Sequence, residues 1–239
     1  MASARTNLSL DGVPIVRLES ESLRVDVAPS VGGRVVSLIE KSSGHEFLWR
    51  NGASRLASLP AGSEYDPNFF GGIDELLPND IPEEINGVGC PDHGELWTLP
   101  LACRWDGAQL TLEGTLPRFG LRYERRMSLR DDGPFLDCQY RLTNLTGERR
   151  RFLWKLHAAL NIAAGDVINC PADRAQVVDL NYSRFATQSP FPWPQLEGKA
   201  VNVVPAADGT MDFFYLFDLR AGRIVWRRPS ERVEFAYEF

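Results

Sequence analysis

The sequence predicts an all-β protein built from antiparallel sheets. Apolar residues alternate with polar ones with a period of two rather than 3.6. Residues typical of turns separate the alternating stretches. No long segment carries the apolar stripe of an amphipathic helix. Strands of this spacing joined by short turns are typical of a β-sandwich or a β-barrel.

The alternation is clearest in residues 23–27, 121–129 and 136–142. Turn sequences lie between the predicted strands: Asp106-Gly107, Asp131-Asp132-Gly133-Pro134 and Thr146-Gly147. Arg125 falls on the apolar side of its strand, where a guanidinium needs a partner. We expect it to pair with a buried carboxylate or to face a polar cleft.

Two long segments interrupt this pattern. Residues 56–91 contain Gly, Pro, Asn and acidic residues with little alternation, and residues 183–205 are rich in Pro and aromatic residues. Loops of this length are uncommon in a compact domain and often carry function. The alternative is that both are plain connections.

Composition is that of a globular protein: 239 residues, 44% hydrophobic and 24% charged. No linker divides the chain, so we expect a single domain over residues 1–239. The formal net charge of −6 argues against nucleic acid as a partner. No apolar stretch approaches the ~20 residues that span a bilayer, and no signal peptide is evident. We therefore expect a cytoplasmic protein without a membrane partner, whose four widely spaced cysteines are reduced and mostly buried.

Two of the three histidines are candidate functional residues. His93 lies between Asp92, which could orient its imidazole, and a glycine. In an extended strand, His157 and Lys155 would share one face, which could line a groove. By spacing alone a structural role is also open for each histidine. The His-x-His spacing of a metal site is absent, as are the P-loop, dinucleotide-binding and serine-hydrolase motifs, so we predict no metal and no cofactor.

Four stretches, in order, resemble the aldose 1-epimerase (galactose mutarotase-like) superfamily. They are Leu23–Leu38 with its Pro and Gly-Gly pair, Phe70–Asn79 with a second Gly-Gly pair, Asp92–Trp97 with a His-Gly motif, and Leu153–Ile162 around the second histidine. The likeness runs from about Leu18 to the end of the chain.

The resemblance implies a galactose mutarotase-like β-supersandwich and an enzyme that interconverts the α and β anomers of a free sugar or a sugar phosphate without a cofactor. It implies that His157 is the general acid and that His93 binds near the ring oxygen. The remaining expected substrate-binding residues are Asp74, Glu75, Trp97 and Lys155. For Trp97 a place in the hydrophobic core is equally open.

Two departures from the superfamily pattern matter. The Asn-Arg pair of the galactose enzymes is absent after the first hairpins, so galactose is not assumed. The glutamate base of a late Leu-Glu-Pro-like segment is also absent. We therefore expect that the C-terminal strands are missing and that the base lies beyond residue 239 or is lost, with Glu234 or Glu238 as weaker substitutes.

Two other functions stay open at this point. A missing base would suit a non-catalytic carbohydrate-binding module, and β-supersandwiches also occur as accessory domains of polysaccharide-processing proteins. Fold likeness alone does not separate these functions. The identity of the sugar, recognition of a phosphate and the oligomeric state are not indicated by the sequence.

Overall fold

A computed structural model describes residues 2–239, and it confirms the all-β prediction. The helices of residues 2–239 are three short 3₁₀ helices of three residues each: Asp66–Asn68, Leu96–Thr98 and Leu180–Tyr182. No helix within residues 2–239 has the length and apolar character that crossing a bilayer requires. The chain forms two compact units, one ending at Asn161 and one spanning Ile162–Phe239. The assignment of residues 1–239 to one domain stays a prediction.

Within residues 2–161 the first unit contains thirteen strands. They are β1 (Ser3–Leu10), β2 (Val13–Glu19), β3 (Leu23–Ala28), β4 (Arg34–Glu40), β5 (His45–Glu46), β6 (Ile73–Leu76), β7 (Glu83–Ile85), β8 (Val88–Cys90), β9 (Ala102–Trp105), β10 (Leu110–Thr115), β11 (Leu121–Leu129), β12 (Leu136–Asn144) and β13 (Lys155–Ala158). A seven-stranded antiparallel sheet has the order β1-β2-β3-β4-β6-β13, with β5 paired to β4. A second sheet has the order β12-β11-β10-β9, and β7 and β8 form a hairpin.

One face of the seven-stranded sheet is mainly apolar, and the other carries charged side chains beside a smaller apolar cluster. Leu18, Val25 and Leu38 are cross-strand neighbours and are buried. The adjacent row of Arg17 and Asp26 points to the opposite side, because successive residues of a strand face opposite ways. We call these the apolar face and the polar face. The alternation predicted for residues 23–27 therefore places an apolar core on one side and charged side chains on the other.

The four-stranded sheet packs against this apolar face. Arg125, from the middle of β11, is 2% exposed and donates to Glu75 of β6, with Nη1 2.7 Å from Oε1. Its other terminal nitrogen donates to the carbonyl of Gly33 at the start of β4. The prediction that Arg125 pairs with a buried carboxylate is thus confirmed.

The second unit contains eight short strands. They are β14 (Val167–Asn169), β15 (Ala172–Val177), β16 (Phe191–Pro192), β17 (Gln195–Leu196), β18 (Lys199–Ala200), β19 (Phe214–Leu219), β20 (Arg223–Arg228) and β21 (Val233–Glu238). They form sheets in the orders β14-β20-β21 and β16-β15-β19 and a hairpin of β17 and β18. Glu234, one of the expected substitute bases, is partly exposed and pairs with Arg227 and Arg223.

All four cysteines are free thiols, in line with the expectation of reduced cysteines. Cys90 and Cys170 are buried, whereas Cys138 is half-buried and Cys103 is exposed. The expected burial therefore holds for two of the four. Cys103 is exposed because it lies on β9, the outer strand of the four-stranded sheet.

Candidate functional site

The candidate site is built on the pairing of β6 with β13. His157 lies directly opposite Asp74 in the register of these antiparallel strands, so both side chains leave the polar face together. His157 Nδ1 is 3.2 Å from Asp74 Oδ1. The Asp74 side chain is 2% exposed and that of His157 is 36% exposed. The carboxylate is therefore buried beneath an imidazole that meets the solvent.

Tyr65 completes a triangle with these two residues. Its hydroxyl is 2.8 Å from Asp74 Oδ2 and 2.8 Å from His157 Nδ1. Burial and the nearby Asp74 charge raise the pKa of Tyr65, so its single proton is retained. The carboxylate is the stronger acceptor, and Tyr65 accordingly donates to Asp74. We assign the Nδ1–H tautomer to His157 on this basis, which leaves Nε2 for a ligand.

Arg34 holds the Asp74 carboxylate in its ionised form. Its Nη2 is 2.6 Å from Asp74 Oδ2, and its Nη1 donates to the carbonyl of Gly71 at 2.7 Å. Burial by itself raises the pKa of Asp74, but the Arg34 charge and the hydrogen bonds from His157 and Tyr65 outweigh it, so the pKa lies below its ordinary value. Because both oxygens are engaged, Asp74 orients His157 and is not free to bind a sugar hydroxyl.

The Gly71-Gly72 pair brings the chain close enough to form this triangle. Gly71 and Gly72 have φ angles of 96° and 75°, a region that other residues rarely adopt. A Cβ at Gly71 would clash with the carbonyl oxygen of Trp49, and one at Gly72 with that of Val35. The second Gly-Gly pair of the sequence is therefore a packing requirement beside Asp74.

His93 approaches the site from the other side of Tyr65. Their rings are stacked, with centroids 3.7 Å apart and an interplanar angle of 4°. His93 Nδ1 is 2.8 Å from Asp92 Oδ1, and Asp92 also accepts from the backbone N–H of Tyr65 at 3.3 Å. The structure thus brings together two Asp–His pairs, both of which contact Tyr65.

Aromatic side chains form one wall of the site. The Phe69 ring lies 5.3 Å from the His157 ring, and Trp49 stacks on Phe69 at 6.0 Å. Trp49 is 40% exposed. Trp97, by contrast, is 3% exposed; its edge packs on Tyr65 and its Nε1 donates to the carbonyl of Asp92. Trp97 therefore occupies the core position left open by the sequence and supports Tyr65 and Asp92 from behind, away from any ligand.

Glu75 is not brought to the site. It follows Asp74 in β6 and so points to the apolar face. There it is 1% exposed and accepts hydrogen bonds from Arg125, from the Tyr123 hydroxyl at 2.9 Å and from Trp154 Nε1 at 2.9 Å. The expected contact of Glu75 with sugar hydroxyls is incompatible with this placement, because the side chain lies between the two sheets.

Lys155 shares the polar face with His157, two residues away along β13. Its Nζ is 2.6 Å from Asp80 Oδ2, and both side chains are about one-third exposed, at 37% and 31%. No group of three His, Cys, Asp or Glu side chains in residues 2–239 is arranged to hold a metal ion. The site of the described chain thus consists of two imidazoles, their orienting carboxylates, one lysine and an aromatic wall.

Sequence reasoning missed Tyr65, Phe69 and Arg34. Tyr65 and Phe69 flank the 3₁₀ helix Asp66–Asn68, inside the long segment that was expected to carry function. Their signal was a group of three aromatic residues within this segment, Tyr65, Phe69 and Phe70. Arg34 was marked by its position directly after the first Gly-Gly pair, at the start of an apolar strand.

Comparison with known proteins agrees with this architecture. A family of unknown function, DUF5107, matches residues 6–74, which is less than half of the chain. A candidate aldose 1-epimerase from Escherichia coli K12 superposes with a TM-score of 0.59 at 15% identity, covering 97% of this chain and 75% of that chain. A galactose mutarotase-like protein from Clostridium acetobutylicum superposes with a TM-score of 0.56 at 15% identity, covering 95% and 80%.

The chain has the galactose mutarotase-like fold. The resemblance seen in the sequence and the predicted β-supersandwich architecture are thereby confirmed at the level of the fold. A TPR-domain containing protein from Parabacteroides distasonis also superposes on this chain, with a TM-score of 0.65 at 18% identity over 91% of this chain. This chain spans 34% of that protein, so the activity and partners of such longer proteins are not carried over.

Proposed function

We propose that this galactose mutarotase-like chain is an isomerase that interconverts the α and β anomers of a free sugar or a sugar phosphate. The position of His157 supports the proposal most. Its Nδ1 is held by buried Asp74 and by Tyr65, and its ring is the partly exposed member of the triangle. A fixed tautomer with a free Nε2 is what a general acid or base requires.

The reaction requires two proton transfers and no redox change. One proton is delivered to the ring oxygen as its bond to the anomeric carbon breaks, and another leaves the anomeric hydroxyl to give the open aldehyde. Rotation and closure on the other face reverse both transfers. An imidazole side chain is able both to donate and to accept a proton, so two histidines can supply the two transfers.

In this proposal the two histidines have different roles. His157, in its protonated form, donates from Nε2 to the ring oxygen. Asp74 stabilises the imidazolium and fixes its orientation, as the carboxylate of an Asp–His pair does. His93 binds the substrate beside the ring oxygen and, when neutral, accepts the anomeric proton, with Asp92 holding its ring. The glutamate base implied by the resemblance stays a prediction.

Substrate contacts are assigned by position on the polar face. Trp49 and Phe69 offer apolar surface to a sugar ring, and aromatic rings of this kind provide contact area with fixed geometry. Lys155 lies about 7 Å along the strand from His157. For a sugar phosphate it is the cation of the site that would meet the phosphate, after exchange with Asp80.

A second candidate function is sugar binding without catalysis. One observation favours it: Asp74, Asp80 and Asp92 are each paired with a cation or an imidazole. If His93 does not accept the anomeric proton, a carboxylate base would have to be released from such a pair before it could act. In this alternative the same site holds the sugar, and the histidines serve as hydrogen-bond partners only.

Polarimetry and a binding assay together separate these functions. Freshly dissolved α-D-glucose, α-D-galactose and α-D-glucose 6-phosphate are followed to anomeric equilibrium with and without the protein. Tryptophan fluorescence, to which Trp49 contributes, reports binding of the same sugars. Isomerase activity predicts faster relaxation with at least one sugar. Binding without any acceleration would support the non-catalytic function. If neither binding nor acceleration is detected, both proposed functions are overturned.

A further inference from the structure

A separate cleft lies on the polar face of the seven-stranded sheet. Its volume is about 590 Å³, a size typical of small-molecule sites. Side chains from β1 to β5 and from the segment after β5 line it. The charged and aromatic members are Arg17, Arg24, Asp26, Glu46, Trp49 and Arg50.

The two carboxylates of the cleft already have partners. Arg17 and Asp26 form a bidentate ion pair, with N–O distances of 2.7 and 2.8 Å. Glu46 accepts from the backbone N–H groups of Leu38 and Leu48 at 2.9 and 3.1 Å. Neither carboxylate requires a further cation.

Arg24 is different. Its cross-strand neighbours are Glu19 and Ile39; Glu19 pairs with Lys41 at 2.9 Å, and Ile39 is apolar. The Arg24 Nε is buried without a hydrogen-bond partner, and no described residue forms an ion pair with this guanidinium. An arginine that no carboxylate of residues 2–239 holds is available to an anion that enters the cleft.

Arg50 and Trp49 define what such a ligand would look like. Arg50 Nε donates to the carbonyl of Val36 at 2.9 Å, and its Nη2 is 3.7 Å from Glu46. With Arg17 and Arg24 it gives the cleft three cations against two carboxylates. Trp49, 40% exposed, adds apolar surface at the rim. The combination fits a ligand with one anionic group and a ring or apolar body.

We propose that this cleft binds an organic anion, with its carboxylate or phosphate on Arg24 and its body against Trp49. A guanidinium suits both oxyanions because its planar fork donates two parallel hydrogen bonds. Two residues of β4 mark the two sites. Arg34 borders the His157 site, and Ile39, five residues further along the strand, pairs with Arg24. That separation is about 17 Å, so one monosaccharide does not span from Arg24 to His157, although Trp49 borders both sites. The proposal does not require isomerase activity, and variants of Arg24 and His157 separate the two sites.

Isothermal titration with D-glucuronate, D-glucose 6-phosphate, inorganic phosphate and neutral D-glucose tests the proposal. We expect the organic anions to bind, and neutral D-glucose to show no binding that Arg24→Gln removes. Comparing the affinities of glucuronate and glucose 6-phosphate distinguishes recognition of a carboxylate from recognition of a phosphate. Comparing the affinities of glucose 6-phosphate and inorganic phosphate measures the contribution of the sugar ring. Added salt should weaken the binding, because part of it is electrostatic.

Arg24→Gln should weaken anion binding by about tenfold or more, since a charge-assisted hydrogen-bonded pair is lost. Arg104→Gln, at an exposed arginine of β9, is the matched control and should bind as the wild type does. His157→Asn should also retain anion binding, which separates this test from that of the isomerase. The proposal is overturned if no anion binds at millimolar concentrations, or if Arg24→Gln binds as tightly as the wild type.

If circular dichroism shows that Arg24→Gln does not fold, a second variant replaces it in the test. Arg24→Lys keeps the charge but loses the planar fork. It should bind the organic anions several-fold more weakly than the wild type does. Unchanged affinity in a folded Arg24→Lys protein would contradict the assigned contact.

Discussion

Asp74 and His157 face each other across β6 and β13, with Oδ1 3.2 Å from Nδ1, and the carboxylate is buried while the imidazole is partly exposed. The buried partner carries the charge, and Arg34 and Tyr65 hold it in place. This arrangement separates the orienting group from the reacting group. It is the basis of the predictions below.

Replacing Asp74 by Asn should abolish most of the isomerase activity. The amide removes the charge that stabilises the imidazolium and leaves Arg34 without its buried carboxylate. By analogy with other Asp–His pairs, kcat should fall by about 10²- to 10⁴-fold, as polarimetry would measure. Arg130 pairs with Asp137 on the surface, and Asp137→Asn is the control. If Asp74→Asn retains wild-type kcat, Asp74 does not orient a catalytic histidine.

Acid should destabilise the protein partly through Asp74. The folded pKa of Asp74 lies below its ordinary value, so its contribution to stability is complete above the unfolded pKa of about 3.9. The contribution is lost as the pH falls below that value towards the folded pKa. The free energy of unfolding, measured by urea titration from pH 6 to pH 2.5, should therefore decline less steeply for Asp74→Asn. Parallel declines for both proteins would show that the folded Asp74 pKa is not lowered.

Glu75→Gln tests the assignment of Glu75 to the interior. Its removal leaves the Arg125 charge buried and unpaired, which should lower the free energy of unfolding by about 3–5 kcal/mol. Sugar affinity in the folded protein should be unchanged, because Glu75 lies on the apolar face. Asp137→Asn, which breaks an exposed pair, should cost less than about 1 kcal/mol. A stable Glu75→Gln protein with weakened sugar binding would contradict this placement and show that Glu75 contacts the sugar.

The glycine pair offers a test of close packing beside Asp74. Gly71→Ala combines a positive φ with a clash against the carbonyl of Trp49, whereas Gly62 has a positive φ of 82° and open space around it. Gly62→Ala should therefore cost only the backbone strain, about 1 kcal/mol. Gly71→Ala should cost clearly more, as thermal unfolding would show. Equal melting temperatures for the two variants would contradict the tight approach of Gly71 to Trp49.

The sequence predicted the fold, and it singled out the two histidines that the structure brings together around Tyr65, because each depends on local patterns. Alternation at residues 23–27 and 121–129 follows directly from the strand period, and the ordered motifs resembled one superfamily. A buried partner for Arg125 was expected only because Arg125 falls on the apolar side of its strand. These signals are readable without knowing which strands pair.

The parts that were missed depend on long-range contacts. Strand β6 lies inside a segment that was expected to be a loop, because its two carboxylates mask the apolar pattern of a buried strand. Asp74 and Glu75 were expected to act together, but neighbouring strand residues face opposite ways and only Asp74 meets His157. Tyr65 reaches His157 across 92 positions, a contact that no local spacing indicates.

The most direct test of the account compares the anomerisation of freshly dissolved sugars by the wild type, His157→Asn and His45→Asn. His45 lies on β5, outside the candidate site, and provides the matched control. The account predicts that the wild type and His45→Asn speed the relaxation of at least one sugar or sugar phosphate and that His157→Asn does not. Equal acceleration by His157→Asn and the wild type would contradict the role assigned to His157.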